Sequence, residues 1–111
     1  MKTPFEKFFS EKGEFGKVDL TLKRVENALK DFGFDEKKLG KIVHVAGTNG
    51  KGSTCYFLDQ ILRQNNFKTI SYTSPHITRI NERIRLNGRS VTNKIFNKHF
   101  NKLKGIIQKN N

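Results

Sequence analysis

The fold of this chain is decided by the stretch Ile42-Val43-His44-Val45-Ala46-Gly47-Thr48-Asn49-Gly50-Lys51-Gly52-Ser53-Thr54. A short apolar run leads into three glycines, one lysine and three hydroxyl side chains within eight residues. Apolar side chains then recur at helical spacing from Cys55 to Leu62. A strand, a glycine-rich turn and a helix in that order are typical of a phosphate-binding loop, because the turn and the helix N-terminus present backbone N–H groups to an anion.

The loop does not follow the usual Gly-x-x-x-x-Gly-Lys-Ser/Thr pattern. Val45 stands five positions before Gly50, and Gly52 separates Lys51 from Ser53. A purely structural turn is therefore the alternative interpretation, but the added lysine, hydroxyl groups and helix favour phosphate binding. The predicted ATP-binding residues are Gly47, Thr48, Asn49, Gly50, Lys51, Gly52, Ser53 and Thr54.

The loop lies inside a predicted βαβ unit with flanking helices. The two strands, Lys41–Ala46 and Lys68–Thr73, are expected to be parallel because a helix over about Lys51–Asn65 connects them. Asn87-Gly88 predicts a turn. The remaining expected segments are an irregular arm over 1–17, a helix over 19–33 capped by Asp19 and ended by Gly33, a loop over 74–90, and a helix over 92–109 that begins at Thr92 or Asn93.

Size and composition predict one cytoplasmic domain. The chain has 111 residues, of which 34% are hydrophobic, and contains neither an apolar run long enough to span a membrane nor a secretory signal. Its one cysteine, Cys55, excludes an internal disulfide and a cysteine-based zinc site, and we expect it to face the helix core. The net charge of +12 raises a nucleic-acid-binding hypothesis, but the basic residues are scattered from Lys2 to Lys109, so no nucleic-acid partner is expected.

Two motifs in order resemble one family. His44–Ser53 resembles the ATP loop of the folylpolyglutamate synthase/dihydrofolate synthase family, within the Mur-ligase superfamily. The segment Tyr72-Thr73-Ser74-Pro75-His76, followed by Arg79–Arg85 and Asn87-Gly88, is a second match, and Asp19–Val25 is a weaker third one. The resemblance spans nearly all of residues 15–107 and accounts for the unusual spacing of the loop.

The resemblance implies an ATP-dependent ligase that joins L-glutamate to dihydropteroate or to a folate through an acyl phosphate, with Mg²⁺, in a monomeric parent enzyme. Lys51 would be the catalytic lysine at the β- and γ-phosphates. Ser74 resembles the family's Mg²⁺-binding serine, with Ser53 as a second metal-binding hydroxyl. Asn81, Glu82 and Arg83 match the loop beside the substrate.

Simpler interpretations of the second motif remain open. Ser74-Pro75 also suits an ordinary turn, Glu82 and Arg83 suit a surface ion pair, and His76 is expected to be a structural loop residue rather than a metal ligand.

Family members are several times longer than this chain. We therefore expect an incomplete P-loop nucleotide-binding core of the α/β class, with the remainder of the central domain and the C-terminal domain absent, and no ligase activity from these residues alone. A non-catalytic nucleotide-binding remnant is the main alternative, and a basic nucleic-acid-binding protein is a weaker one.

Overall fold

The structure, a computed structural model, describes Pro4, Glu6, Lys7 and residues 22–109. The rest of the predicted arm over 1–17 and the predicted cap Asp19 lie outside the described residues. None of the helices in the described part is long and apolar enough to cross a membrane. The elements in chain order are helix α1 (Lys23–Phe32), helix α2 (Lys51–Gln64), strands β1 (Ile70–Tyr72), β2 (Ile84–Leu86) and β3 (Arg89–Ser90), and helix α3 (Asn93–Lys109), with 3₁₀ turns at Glu36–Lys38 and Ile80–Arg83.

The chain divides into two compact units, and the first comprises Met1–Gly40 and Asn97–Asn111. In its described residues, helix α1 ends at Gly33, whose φ of +72° is left-handed. The N–H of Gly33 donates to the carbonyl of Lys30 at 3.0 Å, and that of Phe34 donates to the carbonyl of Leu29 at 2.9 Å. These bonds satisfy the last carbonyls of the helix, so the predicted glycine stop is confirmed.

The C-terminal part of α3 lies in the same unit as α1 and contacts it. Lys102 Nζ lies 4.8 Å from the centre of the Phe32 ring, and Lys109 Nζ lies 3.8 Å from Asp31 Oδ2. Phe100, on the same helix, is 5% exposed. In the second unit, Val91 is 7% exposed, and no other apolar side chain among the described residues is as buried as these two.

The second unit, Lys41–Phe96, contains the glycine-rich loop, helix α2 and a three-stranded sheet. The sheet has the order β1-β2-β3, and both strand pairs are antiparallel. Ile70 faces Leu86 and Tyr72 faces Ile84, while Leu86 also faces Arg89 across the hairpin. The mixed helix-and-sheet class is as expected.

The turn between β2 and β3 has the predicted sequence Asn87-Gly88. Both residues have positive φ, +48° and +79°, as a two-residue hairpin turn of type I′ requires. Asn87 also fixes the start of β1 against β2, because its side-chain oxygen accepts from the N–H of Thr69 at 2.9 Å and its own N–H donates to the carbonyl of Thr69 at 2.8 Å.

The parallel pair of strands predicted for the βαβ unit is not formed. Residues 41–46 lie outside any strand of the described structure, and the predicted second strand, shortened to Ile70–Tyr72, pairs with β2 instead. A parallel strand gains its hydrogen bonds only from neighbours that a crossover brings alongside, and it is normally covered on both faces. Residues 41–46 have no such neighbouring strand among the described elements, and they are not covered either, since Ile42 and Val43 are 74% and 62% exposed. The β2-β3 hairpin needs only the two-residue turn at Asn87-Gly88, and β1 pairs with the other edge of β2.

Helix α3 begins where the sequence predicts. The hydroxyl oxygen of Thr92 accepts from the N–H of Ile95 at 3.3 Å, and the carbonyl of Thr92 accepts from the N–H of Phe96 at 2.9 Å. Thr92 therefore caps the helix, and Asn93 is its first residue.

Candidate functional site

The glycine-rich loop leads directly into the first turn of α2. Gly50 is left-handed, with φ of +75°, and the first bond of the helix runs from the N–H of Thr54 to the Gly50 carbonyl at 2.9 Å. The N–H groups of Lys51, Gly52 and Ser53 therefore precede the first helical bond and are available at the end of the helix. A Cβ at Gly50 or Gly52 would meet no described atom within 4 Å, so the space beside this turn is open.

The side chains of the loop are already partly arranged. Lys51 Nζ donates to the carbonyl of Gly47, which folds the lysine back across the loop. The Thr54 hydroxyl donates to the carbonyl of Gly50 at 2.8 Å, so its proton is in use while its oxygen can still accept. Lys51 and Ser53 are exposed. A cationic group and a hydroxyl therefore stand beside a turn of backbone donors, which is the chemistry that binds phosphate.

A cavity of about 200 Å³ lies between helix α2 and the sheet. It is adjacent to the loop at Gly52 and to the second motif at Thr73, so the two motifs border one space. Cys55 is half-buried and lines this cavity rather than a closed helix core, which corrects the expectation for it. The other lining residues are Tyr56, Asp59, Ser71, Arg85 and Gly88.

Asp59 is the centre of a polar cluster beside this cavity. It is 8% exposed, its Oδ2 accepts from Arg63 Nε at 2.8 Å, and its Oδ1 accepts from the Thr69 hydroxyl at 2.5 Å. Burial acts to raise the pKa of Asp59, but the hydrogen bonds from Thr69 and Arg63 and the charges of Arg63 and Arg85 outweigh it and lower the pKa. The sequence interpretation overlooked this cluster, although the Asp59–Arg63 spacing of four residues is a known helical pair.

Glu82 organises the loop that follows the second motif. One carboxylate oxygen accepts from the N–H of Ile77 at 3.1 Å, and the other accepts from those of Thr78 and Arg79 at 3.1 and 2.9 Å. The N–H groups of Ile77 and Arg79, with a smaller contribution from Thr78, hold the pKa of Glu82 below its ordinary value. Glu82 therefore holds the backbone of this loop, a larger role than the surface ion pair with Arg83 that the sequence left open.

The other two predicted substrate-loop residues also have partners. Asn81 is 8% exposed, and its side-chain amide donates to the Val91 carbonyl and to Asn93 Oδ1, both at 2.9 Å. Arg83 Nε donates to His76 Nδ1 at 2.8 Å, which gives His76 the structural role expected of it. The Asn81 amide hydrogens are therefore used inside the fold, whereas the hydrogen bonds of Glu82 are exposed and that of Arg83 to His76 is partly buried.

Ser74, the predicted metal-binding serine, is exposed at the start of this loop. The N–H of the preceding residue, Thr73, donates to the carbonyl of Arg83 at 2.9 Å, and the Ser74–Pro75 peptide bond is cis. The described residues contain no group of three or more histidine, cysteine, aspartate or glutamate side chains that could hold a metal ion. The roles predicted for the loop residues and for Ser74 stay predictions.

The chain is similar in sequence to members of one enzyme family. It is 51% identical over 59 residues to the mitochondrial folylpolyglutamate synthase of Cricetulus griseus, an alignment that covers 53% of this chain and 10% of that protein. It is 40% identical over 85 residues to the folylpolyglutamate synthase of Candida albicans, which covers 74% of this chain and 16% of that protein. The chain thus spans less than a fifth of either relative. No protein-family model matches it.

Solved structures agree with the sequence comparison. The FolC protein of E. coli in complex with DHPP and ADP superposes with a TM-score of 0.81 at 31% identity, covering 95% of this chain and 26% of that one. The bifunctional folylpolyglutamate synthase/dihydrofolate synthase of Yersinia pestis, complexed with AMPPNP and Mn ion, gives a TM-score of 0.80 at 30% identity, covering 94% and 26%. The resemblance predicted from the two motifs is confirmed.

Proposed function

Since the chain is similar to the folylpolyglutamate synthase/dihydrofolate synthase family in both sequence and fold, we propose that it forms the phosphate-binding part of an ATP-dependent ligase. The reaction joins L-glutamate to dihydropteroate or to a folate. The observation that carries the proposal is the open turn at Gly50, which presents the N–H groups of the first turn of α2 beside Lys51.

The proposed reaction has two steps. A carboxylate oxygen of the pterin substrate attacks the γ-phosphorus of ATP, the bond to the β,γ-bridging oxygen breaks, and an acyl phosphate and ADP form. The amine of glutamate then attacks the acyl carbon, phosphate leaves with the oxygen that it had gained, and the amine loses a proton. Neither step needs a protein nucleophile, so the work of the protein is to position the phosphates and balance their charge.

Lys51 and the loop would do that work. The Lys51 ammonium group now donates to the Gly47 carbonyl, and we propose that it exchanges this partner for the β- and γ-phosphate oxygens of ATP. The N–H groups from Asn49 to Ser53 would hold the phosphates, with the Ser53 and Thr54 hydroxyls beside them.

The metal and the second substrate belong to the same proposal. The Y. pestis neighbour was solved with AMPPNP and Mn ion, and the exposed hydroxyls of Ser74 and Ser53 are oxygen ligands of the kind that Mg²⁺ accepts alongside phosphate oxygens. When bound, Mg²⁺ would neutralise charge on the phosphates. The E. coli neighbour was solved with DHPP, and we propose that the segment containing Glu82 and Arg83 lies near the pterin substrate.

Nucleotide binding by the 111-residue chain tests the proposal. Labelled ATP is titrated into the wild type and into Lys51→Ala, with Lys68→Ala as the control because Lys68 is an exposed lysine outside the loop. Loss of a charge-assisted contact worth about 1.5–3 kcal/mol should weaken binding roughly tenfold to a hundredfold in Lys51→Ala. Lys68→Ala should bind as the wild type does. Equal affinity in all three proteins would contradict the proposal.

The net charge of +12 supports one competing function, nucleic-acid binding. A DNA oligomer titrated at two salt concentrations separates the two functions. A polyanion interface would lose affinity steeply with salt and would be indifferent to which of the two lysines is replaced. A nucleotide site would show a shallow salt dependence and a specific requirement for Lys51.

A further inference from the structure

We propose that Glu82 is a positioning residue for Ser74: its carboxylate fixes the segment 74–79, which will be called the serine loop, and thereby holds the Ser74 hydroxyl where a nucleotide-bound divalent cation can use it. The inference rests on the proposed function, since it assigns Ser74 to that cation. It adds a residue that acts through the backbone of the loop and touches neither metal nor nucleotide.

The serine loop has little apolar packing to define its shape. Ile77, at its middle, is 96% exposed, and Ser74, Pro75, Thr78 and Arg79 are exposed as well. A loop that buries so little apolar surface gains almost nothing from the hydrophobic effect to offset the entropy of ordering its backbone. Its conformation must therefore depend on polar contacts.

The polar contacts of the serine loop are made mainly with the carboxylate of Glu82. Three consecutive N–H groups, of Ile77, Thr78 and Arg79, donate to the two oxygens of Glu82 at 2.9–3.1 Å. Hydrogen bonds to a carboxylate are about twice as strong as those between neutral groups, and here one side chain fixes half of the six residues in the loop. Ser74 lies three residues before the first of these donors.

The remaining contacts fix the two ends of the loop to the same part of the unit. On the N-terminal side, the Thr73 N–H donates to the Arg83 carbonyl at 2.9 Å, and Arg83 Nε donates to His76 at 2.8 Å. On the C-terminal side, Arg79 Nη2 donates to Asn93 Oδ1 at 3.1 Å. With both ends fixed and His76 held by Arg83, the carboxylate of Glu82 supplies the contacts that fix the backbone of residues 77–79.

Coupling between divalent cation and nucleotide provides the test. The affinity of the chain for ATP is measured with and without Mn²⁺, and the gain that Mn²⁺ gives is compared between the wild type, Ser74→Ala, Glu82→Ala and the double variant. We expect both single variants to lose most of that gain, and the double variant to lose no more than either one, because the two residues act as a unit. The metal-free ATP affinity of each variant is the reference from which its own Mn²⁺ gain is calculated.

Two further measurements distinguish positioning from general stability. Backbone amide exchange at Ile77, Thr78 and Arg79 should accelerate at least tenfold in Glu82→Ala and stay slow in Ser74→Ala. Glu82→Gln keeps one acceptor oxygen for Thr78 and Arg79 but presents an NH₂ group to Ile77, so it should recover part of the Mn²⁺ gain. A variant that simply failed to fold would also lose the metal-free ATP affinity and the slow exchange of helix α2.

The outcomes separate this inference from the function that it rests on. If Ser74→Ala loses the Mn²⁺ gain and Glu82→Ala keeps it, or if exchange at residues 77–79 is unchanged in Glu82→Ala, the positioning role is wrong and the metal role of Ser74 stands. If the wild type gains nothing from Mn²⁺, or Ser74→Ala behaves as the wild type, the assignment of Ser74 to the cation is wrong and the positioning role of Glu82 falls with it. The nucleotide site at Lys51 is tested separately, by the ATP titration of Lys51→Ala.

Discussion

Among the glycines that the structure describes, Gly88 is the one at which an added methyl group should destabilise the fold most. Its φ is +79°, and a Cβ built there would stand 2.4 Å from Cζ of Arg63. The guanidinium cannot simply turn away, because its Nε donates to Asp59 at 2.8 Å. In Gly88→Ala we therefore expect the backbone cost of a left-handed residue, about 1–2 kcal/mol, and in addition the weakening of the Arg63–Asp59 pair. Urea unfolding measures the sum.

Gly33 supplies the matched control for that prediction. Its φ of +72° is nearly the same, but a Cβ there would meet no described atom within 4 Å. Gly33→Ala should therefore lose only the backbone term. The prediction for Gly88 is wrong if the two alanine variants lose the same stability, since the crowding by Arg63 would then have no measurable cost.

Single residues also show where the sequence was most informative. The sequence alone predicts a helix end at Gly33 and a turn at Asn87-Gly88, because few residues other than glycine tolerate positive φ. Asp59 and Glu82 could not be assigned in the same way. The spacing of four residues indicates Arg63 as one donor to Asp59. The sequence does not indicate the other donors, because those of Glu82 come from a folded loop and that of Asp59 is Thr69, ten residues away.

At the scale of elements, Asp59 connects helix α2 to the start of β1 through Thr69 and makes the connection depend on pH. Because the pKa of Asp59 is lowered on folding, the unfolded chain binds more protons as the pH falls. The stability contributed by Asp59 should be fully present above its unfolded pKa, about 4, and should be lost as the pH falls through the lower folded value. Urea midpoints between pH 6 and 3 would show the decline.

Asp59→Asn tests whether Asp59 causes this loss of stability at low pH. It should be less stable than the wild type at pH 6, because one amide oxygen cannot replace two carboxylate oxygens for Arg63 and Thr69. Its stability should also fall less below pH 4. Glu82→Gln measures the share of the decline that belongs to Glu82, whose pKa is lowered as well but which lies outside this connection. If Asp59→Asn declines as steeply as the wild type, another group is responsible.

The sequence predicts the helices better than the strand pairing, and the reason is physical. Helices α1, α2 and α3 depend on contacts three and four residues apart, which are visible in the sequence as apolar periodicity and as capping residues. The pairing of strands depends on which segments meet in space. The expected parallel pair is replaced by the antiparallel β1-β2-β3 sheet, in which a two-residue turn joins β2 to β3. The loop between the predicted strand and α2 nevertheless has the turn that its glycines indicated.

At the scale of the whole molecule, charge is the dominant feature. The chain carries 22 lysine and arginine residues against 10 aspartate and glutamate residues. Several of the cations have local partners, such as Arg63 at Asp59 and Lys109 near Asp31, but an excess of this size repels itself in the compact state. The same excess would raise the local concentration of an anionic nucleotide around the loop. Stability and nucleotide association should therefore respond to salt in opposite directions.

Raising sodium chloride from 0.01 to 0.15 M should increase the urea midpoint of the chain, because the screening length falls from roughly 30 Å to about 8 Å and the repulsion among the surplus cations weakens. Lys51→Ala and Lys68→Ala each remove one positive charge and should each reduce the salt gain slightly and equally. A midpoint that fell with salt would mean that attractive pairs outweigh the repulsion. A loss of the salt gain in Lys51→Ala alone would mean instead that the salt acts through an anion held at the loop, and not through the charge of the whole molecule.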